Sequence, residues 1–136
     1  GGRGAPQIGQ DGSSVAAEEE RQVTVREIAA VLGMKCVAGG VGLDREVSSG
    51  YVSDLLSDVM ANASDGGIWV TSQVHQNVVA VALLLDLAAV VIAGGLEMNE
   101  DAIARAEAEG MPILSTKMSA FETVGRLYEL GVRGDS

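Results

Sequence analysis

At 136 residues, 47% of them hydrophobic and only 3% aromatic, the chain is the size of one domain whose core must be built from Val, Leu, Ile, Ala and Met. Nineteen acidic residues against nine basic ones leave a net charge of −10. That balance repels phosphate backbones and argues against nucleic acid as a partner; its ordinary role is solubility. The single cysteine, Cys36, excludes an internal disulfide framework and suits a reducing, cytoplasmic setting, where it packs as a small apolar residue.

Residues Gly1 to Gln22 are rich in Gly, Ser, Gln and Glu and lack apolar periodicity. They are expected to form a disordered tail, a linker or a tag remnant, because they bury too little surface to offset their ordering entropy. The first residue is not Met and no charged-then-apolar leader opens the chain, as expected of an expressed fragment. A domain over 23–132 and a frayed end over 133–136 complete the expected division.

Thr24 followed by Glu27 is a capping box, Val23 and Ile28 can staple across it, and Val25, Ile28, Ala29 and Leu32 recur at helical spacing up to Gly33. Lys35 to Ala38 reads as a short strand, Gly39-Gly40-Val41-Gly42 as a turn and Glu46 to Val52 as a second strand. Ser53 then opens a short helix with Asp54 in its first turn. Ile68 to Thr71 is a third strand, Asn77 caps a helix reaching about Asp86, and Ala89 to Ala93 is a fourth strand broken by Gly94-Gly95. The β-branched residues of Val78 to Leu85 also fit a strand. The apolar stretch Val78 to Ala93 is too short to span a bilayer and is interrupted by Asp86, and no basic amphipathic helix points to a membrane surface. Asn99 caps an acidic-started helix closed by Gly110 and Pro112, Ile113 to Ser115 is a fifth strand, and Ser119 with Glu122 boxes a last helix ending at Gly131.

This alternation implies an α/β fold, a mostly parallel five-stranded sheet with helices on both faces. Ligands of such sheets bind beyond the carboxyl ends of the strands, where helices begin with free N–H groups. The segments expected there are polar: Thr71 with His75, Gln76 and Asn77 after the third strand, Gly94 and Gly95 after the fourth, and Thr116, Lys117 and Ser119 after the fifth. Gathered on one rim, they would suit a phosphate, a carboxylate or another polar ligand, Lys117 supplying charge, Thr116 and Ser119 hydroxyls, and Gly94 a close backbone approach. Each also has a structural explanation: caps for Asn77 and Ser119, a strand exit for the glycines, an ordinary loop position for His75 and a solvated side chain for Lys117.

Catalytic signatures are missing from the sequence. There is no phosphate loop, no dinucleotide fingerprint and no nucleophile elbow, and one His with one Cys cannot build a typical zinc site. Asp54 and Asp58, at i,i+4 spacing, could hold a cation but read better as a solvated helix face. The terminal Arg133-Gly134-Asp135-Ser136 receives no role. No cofactor is expected.

From Val23 to Val132 the chain resembles the DRTGG domain. The resemblance is carried by Asp44-Arg45, by Gly50-Tyr51-Val52-Ser53-Asp54 running on to Met60, by Trp69-Val70-Thr71 with His75-Gln76-Asn77, and by Pro112-Ile113-Leu114 with Ser119-Ala120-Phe121. The family's Thr-Gly-Gly reads here Ser48-Ser49-Gly50, a departure at two of three positions. The resemblance implies a fold similar to the amino-terminal domain of HPr kinase/phosphorylase and a regulatory, non-catalytic role, as in modules beside CBS domains. Within it, Arg45 is expected to pair with Asp54 or Asp58, and Tyr51 to turn its hydroxyl toward the polar rim.

Three functions compete. The first is a sensor of a small anionic metabolite or nucleotide. The second is an oligomerisation or protein-interaction module, by default a homodimer, with the Trp69 region exposed for it. The third and weakest is a phosphotransfer-related enzyme using His75 as base and Lys117 as charge stabiliser.

Overall fold

A computed structural model describes residues 22–134; the expected N-terminal tail, apart from Gln22, lies outside them. Helix α1 (Val25–Leu32) starts and stops where its sequence dictates. The Thr24 hydroxyl accepts the Glu27 N–H at 3.1 Å, the Glu27 carboxylate accepts the Thr24 N–H at 2.9 Å, and Gly33 closes the helix in the left-handed region. Strand β1 (Lys35–Ala38) and a 3-10 turn (Gly40–Gly42) follow. Strand β2 (Ser49–Val52) is shorter than expected, because Glu46 leaves the sheet's line to bridge Thr24 instead.

The rest alternates as the periodicity predicts: α2 (Leu56–Asn62), β3 (Gly67–Thr71), α3 (Gln76–Leu84), β4 (Ala89–Ile92), α4 (Glu100–Glu109), β5 (Ile113–Ser115) and α5 (Ala120–Glu129). The ambiguous Val78 to Leu85 segment is helical up to Leu84: tertiary burial of its valines overrides their β preference.

The five strands lie in the order β1-β5-β4-β3-β2. The sheet is mixed. The β2–β3, β3–β4 and β4–β5 pairs are parallel, whereas β1 runs antiparallel to β5. The antiparallel edge corrects the mostly parallel arrangement expected from the alternation, which begins only at β2.

Each crossover from β2 to β5 moves one strand along, so α2, α3 and α4 share one face. There Trp69, Val90, Ile92 and Ile113 meet Val59, Val78, Val79, Ala102 and Ala106. On the other face Ile68, Val70, Ala89, Val91 and Leu114 meet Val25 and Ile28 of α1 and Leu127 of α5. Strands buried on both sides need continuous aliphatic runs, which is why β3 and β4 show no polar alternation. Trp69 is 0% exposed and donates its indole N–H to the Ser53 carbonyl at 2.8 Å. Trp69 is therefore not the exposed residue expected there: its ring is core and its polar edge is satisfied.

Candidate functional site

The parallel strands bring the ends of β2, β3, β4 and β5 to one rim, and the three polar loops foreseen there do meet. Ala93 donates its N–H to the Thr71 carbonyl at 3.0 Å, and Asn99 donates to Val74 at 2.8 Å. Gly94 and Gly95 donate to the carbonyls of Met118 and Thr116 at 2.7 and 2.9 Å. Both glycines have φ near +75° (79° and 73°), the left-handed region that lets two successive N–H groups turn toward the β5 loop. Their N–H groups thus fasten one loop to the next and are not free to cradle a ligand.

Most hydroxyls and amides of the rim are engaged in the same way. Thr71 is buried; its hydroxyl donates to Asp54 at 2.7 Å and accepts the Gln73 N–H at 3.2 Å. Thr116 is buried too and accepts the Met118 N–H at 3.1 Å. His75, not Asn77, is the N-cap of α3: its Nδ1 accepts the Asn77 N–H at 3.2 Å, leaving Gln76 and Asn77 exposed in the first turn. Ser119 caps α5 by accepting the Glu122 N–H at 3.1 Å, but the box is not reciprocal, since Glu122 turns to Arg126 at 2.9 Å. Asn99 occupies the N-cap of α4 without a side-chain cap bond.

The segment after β2 also differs from expectation. Helix α2 begins at Leu56, so Asp54 precedes it and does not share a helical face with Asp58. Asp54 accepts three hydrogen bonds, from the Thr71 hydroxyl, the Ser72 N–H at 2.7 Å and the Ser72 hydroxyl at 2.6 Å. The Ser72 backbone and hydroxyl donors together hold the Asp54 carboxyl below the usual carboxylate range. Asp58 accepts the Tyr51 hydroxyl at 2.7 Å, which lowers the carboxyl and raises the phenol. Tyr51 therefore turns to α2 and not to the rim. Among the described residues no group of acidic, His or Cys side chains could hold a metal ion.

The family-motif residues Asp44 and Arg45 lie at the far end of the molecule. Arg45 pairs with Asp86 at 2.9 Å and with the Asp86 carbonyl at 2.9 Å, not with Asp54 or Asp58. It thereby holds the turn before β4, where Asp86 has φ 56°. Asp44 takes the Arg26 guanidinium at 2.7 Å, which holds its carboxyl below the usual range. Gly50 donates its N–H to the Arg133 carbonyl at 2.9 Å, and a Cβ there would stand 3.0 Å from Val132. Ser53 closes a tight turn by accepting the Leu55 N–H.

One part of the rim stays open. The chain leaves β4 for α4 on one face and β5 for α5 on the other, so the two exits diverge and leave a crevice between them. A cleft of about 450 Å³ occupies it. Val37, Ile92, Leu96, Met98 and Ile103 form its apolar wall; Ser115, Lys117 and Gly95 come from the rim, and Glu97 and Glu100 from the approach to α4. Lys35 completes it. Because β1 is antiparallel, its first residue lies beside Ser115, at the carboxyl end of the parallel strands. Among the described residues the ammonium groups of Lys35 and Lys117 have no hydrogen-bond or ion-pair partner. Of the expected site residues, only Gly95 and Lys117 line this cleft. Lys35 was missed because a four-residue apolar strand carries no sign of its direction.

No helix of the described residues is long and apolar enough to cross a membrane. No curated protein matches the sequence. Among solved structures the chain is similar to a chain of the CBS and DRTGG domains from the regulatory region of a Clostridium perfringens pyrophosphatase, determined in complex with its activator, diadenosine tetraphosphate. The TM-score is 0.62 at 12% identity, over 87% of this chain and 56% of that one. At that identity the structural likeness shows a shared fold alone, and this chain spans little more than half of its neighbour. The DRTGG domain family model matches residues 27–130, from the first turn of α1 to the end of α5. The protein belongs to the DRTGG domain family.

Proposed function

We propose that this domain is a non-catalytic regulatory module that binds a small polar or anionic ligand, a nucleotide foremost, at the β4–β5 cleft. The observation that carries the reading is a cleft at the point where the sheet's connections diverge, with an apolar wall and two lysines that have no partner among the described residues. Its volume falls within the range of about 300–1,000 Å³ common to small-molecule sites. The apolar wall suits a flat ring, and Lys35 and Lys117 suit a phosphate. Glu97 and Glu100 leave the lining formally neutral, which favours a ligand carrying donors as well as an anion, as an aminated nucleobase with a phosphate does. The similar regulatory region is an independent reason to test nucleotides first.

The implied likeness to the amino-terminal domain of HPr kinase/phosphorylase belongs to this reading, without phosphotransfer: His75 spends its Nδ1 on a helix cap. So do a cytoplasmic setting and a two-fold homodimer, the commonest oligomer of soluble chains. Thermal melting against a panel of nucleotides and phosphorylated metabolites tests the ligand. A binder should raise the midpoint with dose, by about 2.7 kcal/mol of stability at a hundredfold excess over Kd. Lys117→Ala and Lys35→Ala should each weaken that response. If no compound moves the midpoint, or both variants respond like the parent, the reading fails.

A further inference from the structure

Helix α5 presents an outer stripe that the described residues leave largely exposed, with Val124 at its half-buried edge. Phe121, Val124, Gly125 and Tyr128 fall at i, i+3, i+4 and i+7, the spacing of one helix face. Phe121 is 90% exposed and Tyr128 57%. Gly125 is exposed in mid-helix, and a Cβ built on it would meet nothing within 4 Å. Glycine weakens a helix there, and no close packing among the described residues explains it. Beside the stripe, a groove of about 300 Å³ runs between Val52 on the edge strand β2 and Val124, Tyr128 and Val132.

The stripe and the groove fit each other in a second copy. About 1.5 Å of rise per residue places Phe121 and the groove's Tyr128 roughly 10 Å apart along the axis, on opposite sides of Gly125. Antiparallel pairing of two α5 helices about Gly125 would carry each Phe121 to the level of the other copy's groove. The charges agree. Glu122 and Glu129 are balanced by Arg126 and Arg133 in this segment of a chain with net charge −10, so two copies can meet there without the repulsion that the overall charge would bring. Arg126 is already paired to Glu122, and Arg133 lies over the Tyr128 ring at 3.7 Å, so neither cation opposes the approach.

We propose that α5 is the homodimer interface, crossed at Gly125, with Phe121 of each copy seated in the groove of the other. The proposal rests on the dimer reading above and adds its surface. Sedimentation velocity of the full 136-residue chain from about 1 to about 100 µM tests it, because dimers follow mass action. The parent should dimerise. Phe121→Glu and Gly125→Leu should each weaken association by about tenfold or more, while Val31→Glu, at an exposed position on α1, should leave it unchanged. Thermal melting confirms that the variants are folded, which the exposure of Phe121 favours. A parent that stays monomeric throughout overturns both the surface and the dimer. A dimer indifferent to Phe121→Glu and Gly125→Leu overturns the surface alone.

Discussion

The two halves of the sheet's rim are built from similar residues and do different things. At the exits of β2 and β3, Asp54 gathers the Thr71 hydroxyl and both donors of Ser72 into a closed clasp. At the exits of β4 and β5 the backbone is equally well tied, through Gly94 and Gly95, yet Lys35 and Lys117 point charge at an open cleft. The difference follows from topology. The connections after β2 and β3 go to one face and pack side by side, whereas those after β4 and β5 part to opposite faces. Polarity on a rim therefore does not by itself mark a site; the proposed one rests on polarity left unpaired where the connections diverge.

Removing the clasp of the closed half should have the largest effect. Asp54→Ala strips the acceptor from the buried Thr71 hydroxyl and from two Ser72 donors, and should cost about 1–3 kcal/mol of stability. Chemical denaturation would show the loss as a lower midpoint at unchanged slope. The same carboxylate should make the fold acid-sensitive. Its folded pKa is depressed, so its contribution is complete above the ordinary aspartate range and disappears as pH falls through the lowered value. The parent should lose stability as pH falls below about 4, and Asp54→Asn should flatten that part of the profile. An unchanged profile would mean that Asp54 is not the clasp.

The open half should answer first to its backbone. Gly95→Ala forces a side chain onto φ 73° and disturbs the hydrogen bond to Thr116, so a loss of about 1–2 kcal/mol is expected. If the tie shapes the cleft, ligand response should fall with it. A variant as stable and responsive as the parent would show that the glycine pair is dispensable.

Much of this was legible in the sequence and some was not, for physical reasons. Capping at Thr24 and Ser119 depends on neighbours three residues away, and both caps form. The limits of β1 and β5 were set by local apolar runs and turn residues, and both match. Strand direction depends on partners far along the chain, so β1's antiparallel course and the place of Lys35 on the rim were hidden. Pairing choices were equally opaque: Arg45 selects Asp86 over Asp54, although all three are polar residues near turns. Trp69 points to the sheet face opposite Ile68 and Val70, and it is core only because helices cover both faces, which a single strand's sequence does not show.

Lys117→Ala and Lys35→Ala sharpen the contrast most cleanly, because they separate binding from folding. Among the described residues neither ammonium has a partner, so each change should stay within about 0.5 kcal/mol in stability. If the ligand carries a phosphate at this mouth, calorimetric titration should show its affinity falling by about tenfold for each variant. Raising the ionic strength should narrow the gap between parent and variants, since exposed charges are screened. A stability loss as large as that of Asp54→Ala would place these lysines in the same structural role as the closed half.

His75→Ala should have the smallest effect, and it bears on chemistry as well as architecture. The imidazole supplies one cap bond to the first turn of α3, at 3.2 Å, and does not line the cleft. Its removal should cost no more than about 1 kcal/mol, since a single cap of this kind is worth roughly that, and ligand affinity should be unaltered. His75→Asn, which keeps a good capping side chain, should recover most of the loss in a thermal melt. A large fall in ligand response with His75→Ala, not rescued by His75→Asn, would mean that the imidazole reaches the ligand and that the two halves of the rim act as one site.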